Sequence, residues 1–212
     1  GWGMTETGAA GTSFTGYFYN LKPGSSGFLN PIVDLRFCDE HGIELEAGAP
    51  GEIWIKSPTT ITGYTNNPDA NKNEFKDGWF KTGDIGYLDA DKCLFICDRA
   101  KDMVIRGGEN IYPREIEEFL YKHKDVAEVQ VFGVSDAKFG EELCAWIKLR
   151  DGSNLSKENI RAFCFEQIAY YKVPRYIEFV EDFPMTVTGK AQKFKMRNTV
   201  EAELAKQEKF PE

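Results

Sequence analysis

The sequence predicts an α+β chain in two parts: a β-rich, barrel-like subdomain, followed by a smaller α+β domain built on a three-stranded sheet with helices. From about residue 25 to residue 97, short runs alternate apolar and polar residues, with Gly, Asp and Pro between them, the pattern of antiparallel strands. After Arg99 the apolar spacing lengthens to that of helices, interleaved with further strand-like runs. The 212 residues are 42% hydrophobic and 14% aromatic, which is enough apolar material for packed cores.

The first strand is expected at Val33-Asp34-Leu35-Arg36-Phe37, and Asp39-Glu40-His41-Gly42 turns the chain after it. Gly51 to Ile55, Asp84 to Leu88 and Cys93 to Cys97 repeat the alternation. Beyond the junction, Pro113 opens a helix whose Ile116, Phe119, Leu120 and His123 share a face. Glu115, Glu117 and Glu118 suit its positive end, and Lys122 and Lys124 its far end. Strands follow at Ala127 to Val134 and Leu143 to Leu149. Ser156 then caps a second helix that carries Ile160, Phe163, Cys164 and Ile168 on one side. Tyr176 to Val180 is the third strand of this domain. The junction is expected between Arg99 and Asp102, dividing the chain into residues 1–99 and 100–212.

With 34 acidic and 26 basic residues spread along the chain, the net charge of -8 argues against a nucleic-acid partner, whose phosphates demand clustered cations. The richest basic run, Lys190 to Arg197, is short and calls for another explanation. No window approaches the roughly 18 to 20 apolar residues of a transmembrane segment. The opening Gly1-Trp2-Gly3-Met4-Thr5 lacks the order of a signal peptide. Cys38, Cys93, Cys97, Cys144 and Cys164 form no CxxC pair, and His41 and His123 offer no zinc spacing. The expectation is a soluble, unexported, cytoplasmic protein in a reducing compartment.

Four segments carry candidate chemistry. In Gly1-Trp2-Gly3-Met4-Thr5-Glu6-Thr7, glycines let backbone approach a ligand, Trp2 offers a stacking face, Thr5 can bond phosphate oxygen and Glu6 can hold a hard cation. In Trp79-Phe80-Lys81-Thr82-Gly83-Asp84, an aspartate at the mouth of a strand can accept both hydroxyls of a ribose, or can merely cap its own turn. The stretch from Asp98 to Pro113 joins a charged junction, a strand, the Gly107-Gly108 turn and a helix start. A plain β-hairpin explains the glycines but not four charges packed at the junction. In Pro184-Met185-Thr186-Val187-Thr188-Gly189-Lys190, a glycine loop holds a lysine with the reach to meet phosphate or carboxylate oxygens, or simply to sit in solvent.

Each segment is weak alone, but in this order and at these separations the four together resemble the adenylate-forming enzymes. That superfamily includes acyl- and aryl-CoA synthetases, luciferases and the adenylation domains of peptide synthetases. Gly107 to Pro113 and Gly189-Lys190-Ala191-Gln192-Lys193 look most like fatty-acyl and aryl-acyl CoA ligases. The resemblance implies that ATP activates a fatty or aryl carboxylic acid as an acyl-adenylate, and that the acyl group then passes to coenzyme A. Residues 1–99 would complete a large nucleotide-binding domain, and residues 100–212 would form a mobile C-terminal domain that rotates between the two steps.

By that resemblance Trp2 lies against adenine, Thr5 contacts phosphate, Glu6 binds Mg2+, and Asp84 and Arg99 hold the ribose of ATP or AMP. Lys101 becomes the hinge, Gly107 and Gly108 line the coenzyme A tunnel, and Lys190 is the catalytic lysine between acid and α-phosphate. Many relatives carry Tyr where this chain has Trp2, so the aromatic face is kept and a phenol is lost. The family's glycine-, serine- and threonine-rich phosphate loop would lie upstream of Gly1. The chain is therefore expected to be a portion of a longer enzyme and inactive alone. The alternatives are an adenylation domain loading a carrier-protein thiol, or a non-catalytic binding module.

Overall fold

The structure, a computed structural model, describes residues 1–209, with side chains throughout except at Tyr19 and at 207–209. The chain divides into two compact units, Gly1–Lys101 and Asp102–Glu212.

The first unit contains β1 (Thr12–Ser13), α1 (Tyr17–Leu21), β2 (Gly27–Leu29), β3 (Asp34–Cys38), β4 (Gly51–Lys56), α2 (Pro68–Glu74), β5 (Phe75–Lys76), β6 (Trp79–Leu88) and β7 (Cys93–Arg99). All pairings are antiparallel, in the order β1-β2-β7-β6-β4-β3, with β5 on β6. The expected barrel-like form is corrected to an open sheet. Closure needs the end strands to meet in register, and the two-residue β1 forms no ladder with β3. Val33, Ile55 and Phe80 are buried together, with Trp2, Met4 and Tyr64 packed on them. Asp39 turns the chain after β3 by accepting from the amides of His41 and Ile43 at 2.9 and 2.8 Å. Asn67 caps α2 by accepting from Ala70 N at 3.2 Å, with Pro68 in the first helical position.

A 3-10 turn, Ala100–Asp102, spans the division. The second unit contains β8 (Val104–Arg106), β9 (Glu109–Ile111), α3 (Pro113–Leu120), β10 (Val126–Asp136), β11 (Gly140–Leu149), α4 (Lys157–Cys164), β12 (Tyr176–Phe179) and α5 (Lys193–Lys209). Its sheet has five strands, not the expected three, in the order β10-β11-β8-β9, with β12 parallel to β11. The two additional strands, β8 and β9, are three residues each: β8 is the strand expected before the Gly107-Gly108 turn and β9 the return arm of the hairpin, and both are too short for alternation to count them among the three.

One face of the sheet packs on α3 and α4 through Val129, Val131, Ile116 and Ile160. The other packs on α5 through Phe132, Val134, Met196 and Val200. Ser156 caps α4 as expected, Oγ accepting from Asn159 N at 3.2 Å while Asn159 Oδ1 accepts from Ser156 N at 3.1 Å. Both predicted helices are shorter than their apolar patterns. His123 and Ile168 lie beyond the ends, because Lys122 and His123 bond back in tight turns and Glu166 takes a left-handed φ of 60°. They still pack: the His123 ring sits 4.9 Å from Phe163, and Ile168 borders the core.

The basic run finds its explanation in α5, a 17-residue helix that the pattern does not announce because few of its positions are apolar. Lys193 pairs with Glu117 at 2.8 Å, and Arg197 pairs with Glu141 and Glu201. All five cysteines are free, and burial pushes the Cys144 thiol up to about 12 and the Cys164 thiol up to about 11. No helix among the described residues is long and apolar enough to cross a membrane.

Candidate functional site

In the first unit, a cleft of about 480 Å3 is lined by Met4 and Glu6 from the N-terminal turn, Glu52 from β4, Tyr64 and Glu74 around α2, and Lys81 to Gly83 and Arg99 from β6 and β7. Sites for small molecules commonly occupy about 300 to 1,000 Å3. Beside the cleft, β6 bulges. Glu52 pairs with Ile85 and Trp54 with Lys81, so Thr82, Gly83 and Asp84 lie opposite Ile53 alone, two residues more than the β4 ladder needs. Asp84 thus sits within a ten-residue strand, not at its mouth. Gly83 supplies the left-handed φ of 69° that the bulge requires. Thr82, 5% exposed, donates to Ile53 O at 2.8 Å and accepts from Asp84 N at 3.1 Å, which pins the bulge in place.

The bulge re-aims the Asp84 carboxylate so that both oxygens are engaged. Trp2 Nε1 donates to Oδ2 at 2.8 Å, and Arg99 Nε lies 3.2 Å from Oδ1. The three expected adenine and ribose residues, Trp2, Asp84 and Arg99, therefore converge on one carboxylate, with Trp2 and Asp84 joined across 82 positions. The indole N–H donor to Asp84 is a contact that the stacking argument alone does not anticipate. Each carboxylate oxygen keeps a second lone pair for a hydroxyl donor. Thr5 is exposed on the 3-10 turn Thr5–Thr7.

Glu6 is half-buried, and its Oε1 accepts from the Tyr64 hydroxyl at 3.2 Å, while Tyr64 OH also lies 2.9 Å from Glu74 Oε2. Burial first, and then the two carboxylates, push the Tyr64 phenol well above its ordinary range, so it remains a donor. Tyr64 itself is held by Asn71, whose Oδ1 accepts from Tyr64 N at 2.6 Å and whose Nδ2 donates to Tyr64 O at 2.9 Å. The backbone bond from Ile61 N to Glu6 O, 2.8 Å, ties this segment to the N-terminal turn. Neither Tyr64 nor Glu74 is evident as a site residue in the sequence, because their partner lies 58 positions from Tyr64. Among the described residues no group of three or more His, Cys, Asp or Glu side chains gathers as a metal cage. Mg2+ characteristically takes one or two carboxylates plus substrate phosphates, and the hard oxygens of Glu6 at a cleft wall suit that arrangement.

The remaining candidates belong to the turn that ends the first unit and to the second unit. Lys101 is exposed in the 3-10 turn at the end of the first unit. In the second unit, Gly107 and Gly108 form the β8–β9 turn, both with left-handed φ, 59° and 89°. Lys190 stands exposed on a tight loop closed by the Met185–Ala191 bridge. Within the loop, Lys190 N donates to Thr186 Oγ1 at 3.0 Å, Thr186 N donates to Lys190 O at 2.8 Å, and Gly189 has a φ of 78°. The amide and the carbonyl of Lys190 are thus both bonded within the loop, while the residue is exposed.

Two family descriptions match the chain: AMP-binding enzyme over residues 1–65, and AMP-binding enzyme C-terminal domain over residues 115–190. The rat (Rattus norvegicus) protein named medium-chain acyl-CoA ligase ACSF2, mitochondrial, is 44% identical over 185 residues, covering 86% of this chain and 30% of that protein. The crystal structure of ATP-bound MatB from Rhodopseudomonas palustris matches with a TM-score of 0.86 and 38% identity, over 94% of this chain and 40% of that one. The o-succinylbenzoate CoA synthetase MenE from Bacillus subtilis, in complex with its acyl-adenylate intermediate OSB-AMP, matches with a TM-score of 0.83 and 35% identity, over 93% and 40%. The chain spans about 30% of the length of the curated ligase it matches.

Proposed function

Because the chain belongs to the adenylate-forming superfamily, we propose that it is part of an AMP-forming acyl-CoA ligase, which activates a fatty or aryl carboxylic acid with ATP and transfers the acyl group to coenzyme A. The observation that carries this reading is the joining of Trp2, Asp84 and Arg99 beside a cleft whose wall includes Glu6. Asp84 would accept the ribose hydroxyls, with Trp2 and Arg99 holding its carboxylate in place. Thr5 would meet phosphate. Glu6 would hold Mg2+, which when bound offsets phosphate charge.

Lys190 would lie between the attacking carboxylate and the α-phosphate. Two anions repel on approach, and a cation between them offsets that repulsion and the charge that builds on phosphorus. The same cation would stand in the way of a thiol, so the second step calls for another arrangement. Lys101 would be the hinge, and the Gly107-Gly108 turn would then line the coenzyme A tunnel. The free thiols suit a reducing compartment, the cytoplasm on our reading.

The test is acid-dependent ATP–pyrophosphate exchange by the full-length protein over a panel of fatty and aryl acids, followed by thioester formation with coenzyme A. Lys190→Ala should lower exchange by about 10²- to 10³-fold, the scale of one lost transition-state contact. Thioester formation from supplied acyl-adenylate should stay near the unmodified rate. Absence of exchange with every acid overturns the ligase reading, and equal losses in the two half-reactions overturn the role of Lys190.

A further inference from the structure

Glu142 is 1% exposed in β11, a depth at which a carboxylate needs full compensation. Its partner is Arg106, the residue that leads into the Gly107-Gly108 turn. Arg106 Nε donates to Oε1 at 2.8 Å, and a terminal guanidinium nitrogen lies 2.6 Å from the same oxygen. Glu142 Oε2 accepts from Leu143 N at 3.2 Å, and Arg175 approaches to 3.9 Å. The Glu142 hydrogen bond, offset in part by desolvation, raises the pKa of Arg106, so the guanidinium stays charged.

The pair is bound into the neighbouring turn. The Arg106 guanidinium lies 4.2 Å over the ring of Phe139, and Phe139 O accepts from Gly107 N at 2.8 Å. A Cβ on Gly107 would meet the same ring at 3.2 Å. Asp136 shapes that second turn by accepting from the amides of Lys138 and Phe139, both at 2.9 Å, and is itself held by Arg175 at 3.2 Å. The preceding residue of β11 works on the opposite side of the strand: Glu141 Oε2 accepts from Ile105 N at 2.8 Å, and Arg197 of α5 holds Glu141. Backbone pairing between β8 and β11 is confined to Arg106 with Gly140, so these side chains and the Gly107 N–Phe139 O bond supply further ties between the two hairpins.

A buried ion pair is a poor source of stability compared with an apolar pair of the same volume, and its best-attested use is to select one arrangement among several. We propose that Glu142, acting through Arg106, is a positioning residue that fixes the Gly107-Gly108 turn for the thiol-transfer step. This rests on the ligase reading above, in which that turn serves coenzyme A and not adenylation.

Two variants of the full-length protein test it: Glu142→Gln, and Arg106→Met combined with Glu142→Leu, which removes the charges while keeping the volume. Both should hold ATP–pyrophosphate exchange within about twofold of the unmodified protein and lower thioester formation from supplied acyl-adenylate tenfold or more, with a raised KM for coenzyme A. Amide hydrogen exchange at Gly107 should speed up in both. Parallel losses in the two half-reactions would mean a structural pair and would overturn the proposal, as would unchanged thioester formation. An unmodified protein that forms adenylate but no coenzyme A thioester would instead fail the ligase reading. Faster exchange at Gly107 in the variants would then still support the turn-fixing role, and unchanged exchange would overturn it.

Discussion

Trp2 does two things that one residue type rarely combines. Its ring offers a flat apolar face and packs with Val33, Ile55 and Phe80, while its N–H reaches Asp84 at 2.8 Å. Phe would keep the face and delete the donor, leaving the Asp84 carboxylate with Arg99 on Oδ1 and no indole on Oδ2. A hydrogen bond to a charged partner contributes about 1.5 to 3 kcal/mol. Part of that is recovered by water at a half-buried site. Trp2→Phe in the full-length protein should therefore weaken ATP binding by about five- to tenfold, read by titration calorimetry, with the fold intact. An unchanged Kd would show that the indole N–H does not orient the nucleotide carboxylate. The site's acid and base residues are otherwise ordinary surface types, and it is their partners that distinguish them.

The bulge in β6 turns an ordinary strand aspartate into a candidate ligand. Without the surplus residues between the Trp54 and Glu52 pairings, Asp84, which pairs with Arg99 of β7, would also continue the ladder with β4 and point with its strand neighbours. Gly83 makes this possible at a φ of 69°, where any L side chain is strained by about 1 to 2 kcal/mol. Room is not the obstacle, since the nearest atom to an added Cβ is the mobile end of Arg99 at 3.7 Å. Gly83→Ala should thus lower the unfolding free energy by about 1 to 2 kcal/mol and weaken nucleotide binding in the same variant. Denaturant titration beside calorimetry checks both. Loss of stability with full nucleotide affinity would separate the bulge from the site. The strand itself is legible in sequence as alternation from Asp84 to Leu88. The bulge is not, because a three-residue irregularity has no period.

At the scale of the molecule, the two compact units meet in sequence at Lys101 and Asp102. Under the proposed function the flanking roles belong to different half-reactions, with Arg99 on the ribose side and Gly107-Gly108 on the thiol side. The backbone between them must then take more than one set of dihedrals. Proline at 101 fixes φ near -65° and removes an amide donor. Lys101→Pro in the full-length protein is expected to keep adenylation, which uses the resting arrangement, and to lose transfer to coenzyme A. The two half-reactions measured separately, with the melting temperature unchanged, check this. Thioester formation at the unmodified rate would mean that residue 101 is not the hinge.

The sequence by itself determined the α+β class, the strands around Val33, Gly51 and Cys93, the Ser156 cap and the four motifs that lead to the superfamily. These are local properties, since period, turn chemistry and capping are written in residues a few positions apart. Only the tertiary structure decided that the first sheet stays open, that Asp84 rides on a bulge, and that α5 covers a second face of the C-terminal sheet. It alone joined Trp2 to Asp84 across 82 positions, Tyr64 to Glu6 across 58 and Arg106 to Glu142 across 36. The physical reason is that periodicity states which side of an element a residue faces. Strand order and register select what it meets there, and they are fixed by the packing of the whole chain.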